Sequence, residues 1–301
     1  MNQPALLELR NVSRVFGSGS GLFDQRQVVA LKSFSLAIDA EIPSITAIVG
    51  ESGSGKTTMA RLALGLDTPS SGQVLYQGKD LRHTSRSEWR EFRRGVQAIL
   101  QDPFGVYNAF YKVDHVLTTP VKKFKLATSK DQAQEMIERA LVSVGLNPPD
   151  TLGRYPHQLS GGQRQRLMVA RTLLLRPKVI VADEPVSMID ASLRATVLGN
   201  LLQLKNDFGI SLIYITHDLT TAYQISDRII VLYRGDVVEA GPPEQIIERP
   251  QHAYTRLLID SIPQPDPELA WGSGDRSLDF DEDDEEVTRT LVELSGNGQE
   301  K

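Results

Sequence analysis

Residues 50–57 read Gly-Glu-Ser-Gly-Ser-Gly-Lys-Thr, the G-x-x-x-x-G-K-[ST] spacing of a phosphate-binding loop. Glycines so placed let successive N–H groups converge on an anion; Gly50, Ser52, Gly53, Ser54, Gly55, Lys56, Thr57 and Thr58 form the expected cradle. Lys56 can reach the β- and γ-oxygens of a nucleotide, and the Thr57 hydroxyl can ligate Mg2+. A second chemical station is Asp183-Glu184, which ends the apolar run 178–182. There Asp183 is expected to hold Mg2+ through water, and Glu184 to polarise an attacking water as general base. A third station, Leu159-Ser160-Gly161-Gly162-Gln163, is a second glycine-rich turn that opens a helix and could cap a γ-phosphate. Alone, a Gly-Ser turn or an acid pair before Pro185 would pass as a solvated loop. Together they describe one nucleotide-handling set.

These residues need elements to hold them. The run 44–49 is short, apolar and β-branched, so it reads as a buried strand, and 58–64 reads as a helix of good formers. Strand, glycine turn and helix are the context that the phosphate loop requires. Further strands are expected at 96–100, 178–183, 211–216, 228–233 and 236–239. Open α/β sheets bind ligands beyond the C-terminal ends of such strands. Residues 1–100 read as strands with one helix, with a glycine-serine loop at 17–21 in the first hairpin. Residues 102–176 read as helix-rich. Ser129 with Gln132 forms a capping box for a helix over 130–144, closed by Gly145. Ser160 caps a helix reaching Arg176, with Leu167, Ala170, Arg171 and Leu174 at helical spacing. There is no internal repeat, so one nucleotide-binding domain is expected.

Composition narrows the classes. The chain has 301 residues, 40% of them apolar, enough for one large core and an appendage. No apolar run approaches the ~18 residues that would span a bilayer. The opening 1–5 lacks the basic start and apolar stretch of a signal peptide. With no cysteine, disulfides and thiolate-held metal or iron–sulfur sites are excluded. The net charge of −5 is uneven: residues 275–301 hold ten acids and three bases, −7, leaving about +2 for the rest. The block 281–286 is therefore expected to be a solvated tail. The basic cluster Arg82, Arg86, Arg90, Arg93 and Arg94 is local, and nucleic acid is not an expected partner.

The order of phosphate loop, signature turn and acid pair resembles the nucleotide-binding subunit of the ABC ATPase family. That resemblance implies a phosphate-loop α/β core (RecA-like, with an antiparallel β subdomain), a helical subdomain and a C-terminal extension. It also implies a dimer sandwiching ATP head to tail, in which Ser160, Gly161, Gly162 and Gln163 of one chain face the nucleotide gripped by the other. Gln101, before Asp102-Pro103-Phe104, matches the Q-loop glutamine, which touches Mg2+ and the water. Asp190 matches the D-loop aspartate at the dimer interface, and His217 the switch histidine on the γ-phosphate. The adenine-stacking aromatic is Phe16 or, alternatively, Phe23.

The segment 248–258 with 261–265 resembles the mark of oligopeptide and dipeptide importer ATPases, with Ala253 where that pattern has proline. Ile189 for leucine and Asn108-Ala109 for Asn-Pro are further departures. The resemblance implies domains at 5–241 (helical subdomain about 102–176), an importer-type extension at 242–267 and an acidic tail at 268–301. The implied partners are a second ABC ATPase subunit, identical or paralogous, two membrane permease subunits and, indirectly, an extracytoplasmic solute-binding protein. The implied place is the cytoplasmic face of the cell membrane. Relatives that import nickel or oligosaccharides, the soluble carbon–phosphorus lyase assembly and a non-hydrolysing scaffold are the other readings.

Overall fold

The computed structural model describes residues 4–17, 27–99, 107–187 and 191–262, with the backbone alone at 191–193. Leu7–Gly17 (β1) and Gln27–Ile38 (β2) precede Ile45–Val49 (β3), which feeds the helix Lys56–Ala63 (α1). Ser71–Tyr76 (β4) and Lys79–Asp80 (β5) follow, then Arg86–Gly95 (α2) and Val96–Ile99 (β6). The helices Asp114–Phe124 (α3), Lys130–Ser143 (α4), Pro148–Thr151 (α5) and Gly161–Leu174 (α6) come next. Val179–Asp183 (β7), Ala191–Asn206 (α7), Ser211–Thr216 (β8), Leu219–Ile225 (α8) and Arg228–Tyr233 (β9) return to alternating strands and helices. Asp236–Gly241 (β10), Pro243–Glu248 (α9) and Ala253–Asp260 (α10) end the described chain.

Two sheets result. A four-stranded antiparallel sheet runs β2-β1-β4-β5, and a six-stranded sheet runs β10-β9-β3-β8-β7-β6. In the larger sheet β9, β3, β8, β7 and β6 are parallel, with β10 antiparallel at the edge. The parallel strands are apolar on both faces for a visible reason. Ile45, Ala47 and Val49 of β3, with Leu212 and Tyr214 of β8, face a core shared with α3, α4, α6 and α7. Ile48, Ile213 and Ile215 face the opposite core, shared with the antiparallel sheet and α1. With period-2 side chains, a strand between two cores cannot alternate apolar with polar, so it reads as an unbroken run.

Register then determines where the chemistry sits. Val49 lies opposite Thr216, and Asp183 opposite Ile215. Residues that follow these positions therefore leave the sheet at one edge. Gly50, Glu184 and His217 are those residues. Three residues far apart in sequence emerge at the ends of neighbouring strands.

Several local expectations shift. The first hundred residues hold a second helix, α2, opened by a capping box in which Ser85 and Glu88 bond reciprocally. Its Phe92 is buried edge-on to Tyr76, which anchors it to the sheet. The helix was hidden by its polar face, rich in arginine, although Ser85-x-x-Glu88 carries the start signal. Helix α6 stops at Leu174, because Arg176 takes a left-handed φ of 50° before Pro177. Ser129 does accept the Gln132 N–H at 3.1 Å, but the Gln132 side chain accepts from Thr128 and not from Ser129. Strand β10 runs to Gly241, two residues beyond the expected end.

Candidate nucleotide site at the carboxyl edge of the sheet

The loop between β3 and α1 is wrapped around the Lys56 ammonium. Lys56 Nζ donates to the Gly50 and Glu51 carbonyls, each at 2.6 Å, and the residue is only 6% exposed. Burial pushes this ammonium below its usual pKa range, while the carboxylates of Glu184, Asp183 and Glu51 pull it back. The loop is braced from outside. Gly235 N–H donates to Ser54 O at 3.0 Å. A Cβ on Gly50 would overlap the Leu232 carbonyl, and one on Gly55 would overlap that of Ala30. Gly55 also carries φ 107°, which only glycine adopts without strain. The buried Ser54 hydroxyl has no hydrogen-bond partner among the described residues. Thr57 is exposed and Thr58 half-buried at the start of α1, beside exposed Ser52 and Gly53.

Opposite the loop stands the acid pair. Burial raises the Asp183 carboxyl above its usual range; neighbouring Glu184 adds to this and Lys56 opposes it. Glu184 adopts a left-handed φ of 45°, uncommon for a residue with a Cβ. Its N–H donates to Ile215 O at 2.9 Å, and its carbonyl accepts the Ser187 hydroxyl at 3.0 Å. These bonds hold a conformation that costs about 1–2 kcal/mol. The result is a carboxylate turned out of the strand, with Oε1 3.2 Å from His217 Nδ1. Helix α6 reaches the same turn, for buried Gln165 Nε2 donates to Pro185 O at 2.5 Å.

The remaining expected residues divide into two groups. Ser160 caps α6 with a reciprocal box: its hydroxyl accepts Gln163 N–H at 3.2 Å, and its own N–H donates to Gln163 Oε1 at 2.9 Å. Ser160 and Gly161 are exposed, and Gly162 and Gln163 half-exposed, so the turn faces outward. Phe16, at the end of β1, is 42% exposed beneath the Arg14 guanidinium and pairs with Val28, two residues from the Ala30 carbonyl at the phosphate loop. Gln101, Asp190 and Phe23 lie outside the described residues, as does everything beyond 262.

Sequence reasoning missed three supports of the site: Gln165 on Pro185, the β9–β10 turn against the loop, and Tyr254. The Glu51 N–H donates to the Tyr254 hydroxyl at 2.9 Å, across 203 residues of chain. Only Tyr254 carried a signal, and that signal was subfamily resemblance without a contact.

Comparison with known proteins fits this arrangement. Residues 31–187 match the family described as ABC transporter, and residues 238–279 match the oligopeptide/dipeptide transporter C-terminal region. The chain is 41% identical over 222 residues to the oligopeptide transport ATP-binding protein OppF of Salmonella typhimurium, covering 74% of this chain and 66% of that protein. The chain belongs to the ABC transporter ATPase family. An OppF of Haemophilus influenzae is 37% identical over 272 residues, covering 89% of this chain and 81% of its own length. Among solved ABC structures, cbiO1 of Clostridium perfringens superposes with a TM-score of 0.68 at 25% identity, covering 82% of this chain and 92% of that one. The dimeric cassette MJ0796 bound to ADP and phosphate gives 0.66 at 26% identity, covering 79% and 98%. ABC ATPases bind ATP, and the expected α/β core agrees with both superpositions.

Gly55→Ala should cost nucleotide affinity because it combines the overlap with Ala30 and a left-handed φ worth about 1–3 kcal/mol. Titration with a fluorescent ATP analogue should show at least about tenfold weaker binding. Unchanged affinity would mean that the loop's shape is not what holds phosphate.

Proposed function

We propose that this chain is the ATP-binding and ATP-hydrolysing subunit of an ABC importer for oligopeptides or dipeptides. The observation that carries the proposal is the union of two features in one chain. A braced phosphate loop faces Glu184 and His217 across adjacent strand ends, and a C-terminal segment matches the oligopeptide/dipeptide transporter region. That segment favours the importer over a soluble non-transport assembly. The names of the OppF relatives speak for the same solute class.

The roles follow from position. Lys56 exchanges the Gly50 and Glu51 carbonyls for the β- and γ-phosphate oxygens of ATP, and the loop N–H groups from Ser52 to Thr58 complete the cradle. Glu184 accepts a proton from the water that attacks the γ-phosphorus, as the bond to the ADP oxygen breaks. His217 holds the Glu184 carboxylate and contacts the γ-phosphate. Gln101 orients the water, and Phe16 stacks on adenine. Among the described residues no group of three His, Cys, Asp or Glu could hold a metal alone. Mg2+ fits nonetheless: Thr57 and Asp183, with Gln101, offer hard oxygen donors, and close carboxylates on a buried acid favour a cation. When bound, the ion neutralises charge on the phosphates.

Two chains, identical or paralogous, pair head to tail. Ser160, Gly161, Gly162 and Gln163 of one then cap ATP on the other, and Asp190 crosses the interface. No helix among the described residues is long and apolar enough to cross a membrane. Two permease subunits supply the membrane path, a solute-binding protein delivers substrate outside, and this subunit works as a peripheral protein on the cytoplasmic face.

Three measurements test the reading. Glu184→Gln should keep ATP binding and lose about 10²–10⁴ in hydrolysis rate, with closed dimers accumulating; turnover within about threefold of wild type would exclude Glu184 as base. Mixing Lys56→Ala with Ser160→Arg chains should partly recover ATP-dependent dimerisation, because one composite site stays intact. Equal absence in the mixture and in both pure mutants, with wild type dimerising, would refute shared sites; in an obligate paralogue pair each change goes in a different subunit. Finally, the subunit should co-isolate from membranes with integral permease proteins. Recovery only with soluble partners would overturn the importer.

A further inference from the structure

The C-terminal segment reaches the phosphate loop through one hydroxyl. Strand β10 begins the connection: Glu239 accepts the Gln251 N–H at 2.9 Å and the His252 N–H at 3.1 Å. His252 then caps α10, its Nδ1 accepting the Tyr254 N–H at 3.1 Å. This fixes the backbone N–H of Tyr254 itself, whose ring is buried at 1% exposure. The ring packs against Tyr233 at 4.3 Å between centroids, and Tyr233 immediately precedes the turn whose Gly235 N–H holds Ser54 O. Burial keeps the Tyr254 hydroxyl well above its ordinary pKa, so it stays a neutral acceptor at neutral pH. At the end of this chain of contacts the Glu51 N–H donates to that hydroxyl at 2.9 Å.

Glu51 is also one of the two residues whose carbonyls hold the Lys56 ammonium. One peptide unit away, the carbonyl before its N–H is that of Gly50, the other Lys56 acceptor. Tyr254 thus grips the peptide plane that carries a Lys56 acceptor on its far side. Freed from it, that plane can rotate, and the carbonyl facing Lys56 turns with the N–H because the peptide unit is planar.

We propose that Tyr254 is a positioning residue for nucleotide binding, by which the C-terminal segment sets the geometry of the phosphate loop around Lys56. The proposal rests on the nucleotide reading above and adds a partner within the chain: the segment 249–260 is part of the phosphate grip. A packing role alone would need the ring and not the hydroxyl.

The test uses the full-length chain and Mg2+ with a fluorescent ATP analogue. Tyr254→Phe keeps the ring and removes the acceptor. A lost hydrogen bond of ordinary net strength corresponds to about two- to tenfold, so dissociation constant and KM for ATP should both rise by that factor. kcat should stay within about twofold, and the melting temperature within about four degrees. Glu239→Ala, which frees the Gln251 and His252 N–H groups without touching the loop, should shift affinity in the same direction by less. Affinity of Tyr254→Phe within about 1.5-fold of wild type, or a fall in kcat at constant KM, overturns the proposal, as does a lowered melting temperature with unchanged affinity in both variants. Lys56→Ala separates the two readings. If it abolishes binding while Tyr254→Phe does not weaken it, only the tyrosine's role fails. If wild type itself does not bind the analogue, the nucleotide reading fails.

Discussion

A buried ammonium organises this protein. Lys56 is held out of water by a loop that turns its own carbonyls inward, and an unpaired charge in that place would cost several kcal/mol. Each support of the loop can be read as a condition for that arrangement. The strand β3 delivers Gly50 beside the Leu232 carbonyl, Gly55 slips past Ala30, the β9–β10 turn holds Ser54, and Tyr254 holds Glu51. The opposing acids Asp183 and Glu184 supply the counter-charge that burial alone would deny. An ammonium stored against backbone carbonyls is ready to move to phosphate oxygens, whose negative charge makes them stronger acceptors.

The second constraint is strand order. β7 and β8 are neighbours, so Glu184 and His217 leave the sheet side by side, with β3 adjacent on the other flank of β8. Nothing in the linear chain brings these residues closer than 33 positions. The left-handed turn at Glu184 shows how tightly the edge is specified: a conformation costing about 1–2 kcal/mol survives because Ile215 and Ser187 hold both sides of it. Gln165 extends this control to helix α6, since its amide bonds the Pro185 carbonyl next to Glu184. The exposed turn at Ser160 and the acid pair are therefore linked through one helix, whose N-terminus carries the first and whose Gln165 bonds Pro185, the residue that follows the second.

Burial explains why the larger sheet could be found easily and the edges less so. β3, β7 and β8 face cores on both sides and read as unbroken apolar runs. Helix α2 shows the opposite case. Its buried face is narrow, carried by Phe92 with Trp89 partly buried beside it, and arginines dominate the rest. Its only clear signal was the Ser85–Glu88 cap, a local feature that does not depend on a core. The end of α6 depended on Arg176 entering a left-handed conformation, which no residue type there announces.

By itself the sequence determined the phosphate loop, the acid pair, the signature turn, the central strands and the family. Each is a short-range pattern: glycines that allow a tight turn, apolar runs that must be buried, or a cap that satisfies a helix start. Only the tertiary structure decided which peptide units brace the loop. The Leu232 carbonyl, the Gly235 N–H and the Tyr254 hydroxyl serve Gly50, Ser54 and Glu51 through contacts set by register between distant strands and by the docking of α10. Backbone donors and acceptors are the same at nearly every position, so no residue type marks them in advance. Tyr254 could be seen as a member of a recognisable segment, but its hydroxyl found the phosphate loop only because Glu239, His252 and Tyr233 fold it there.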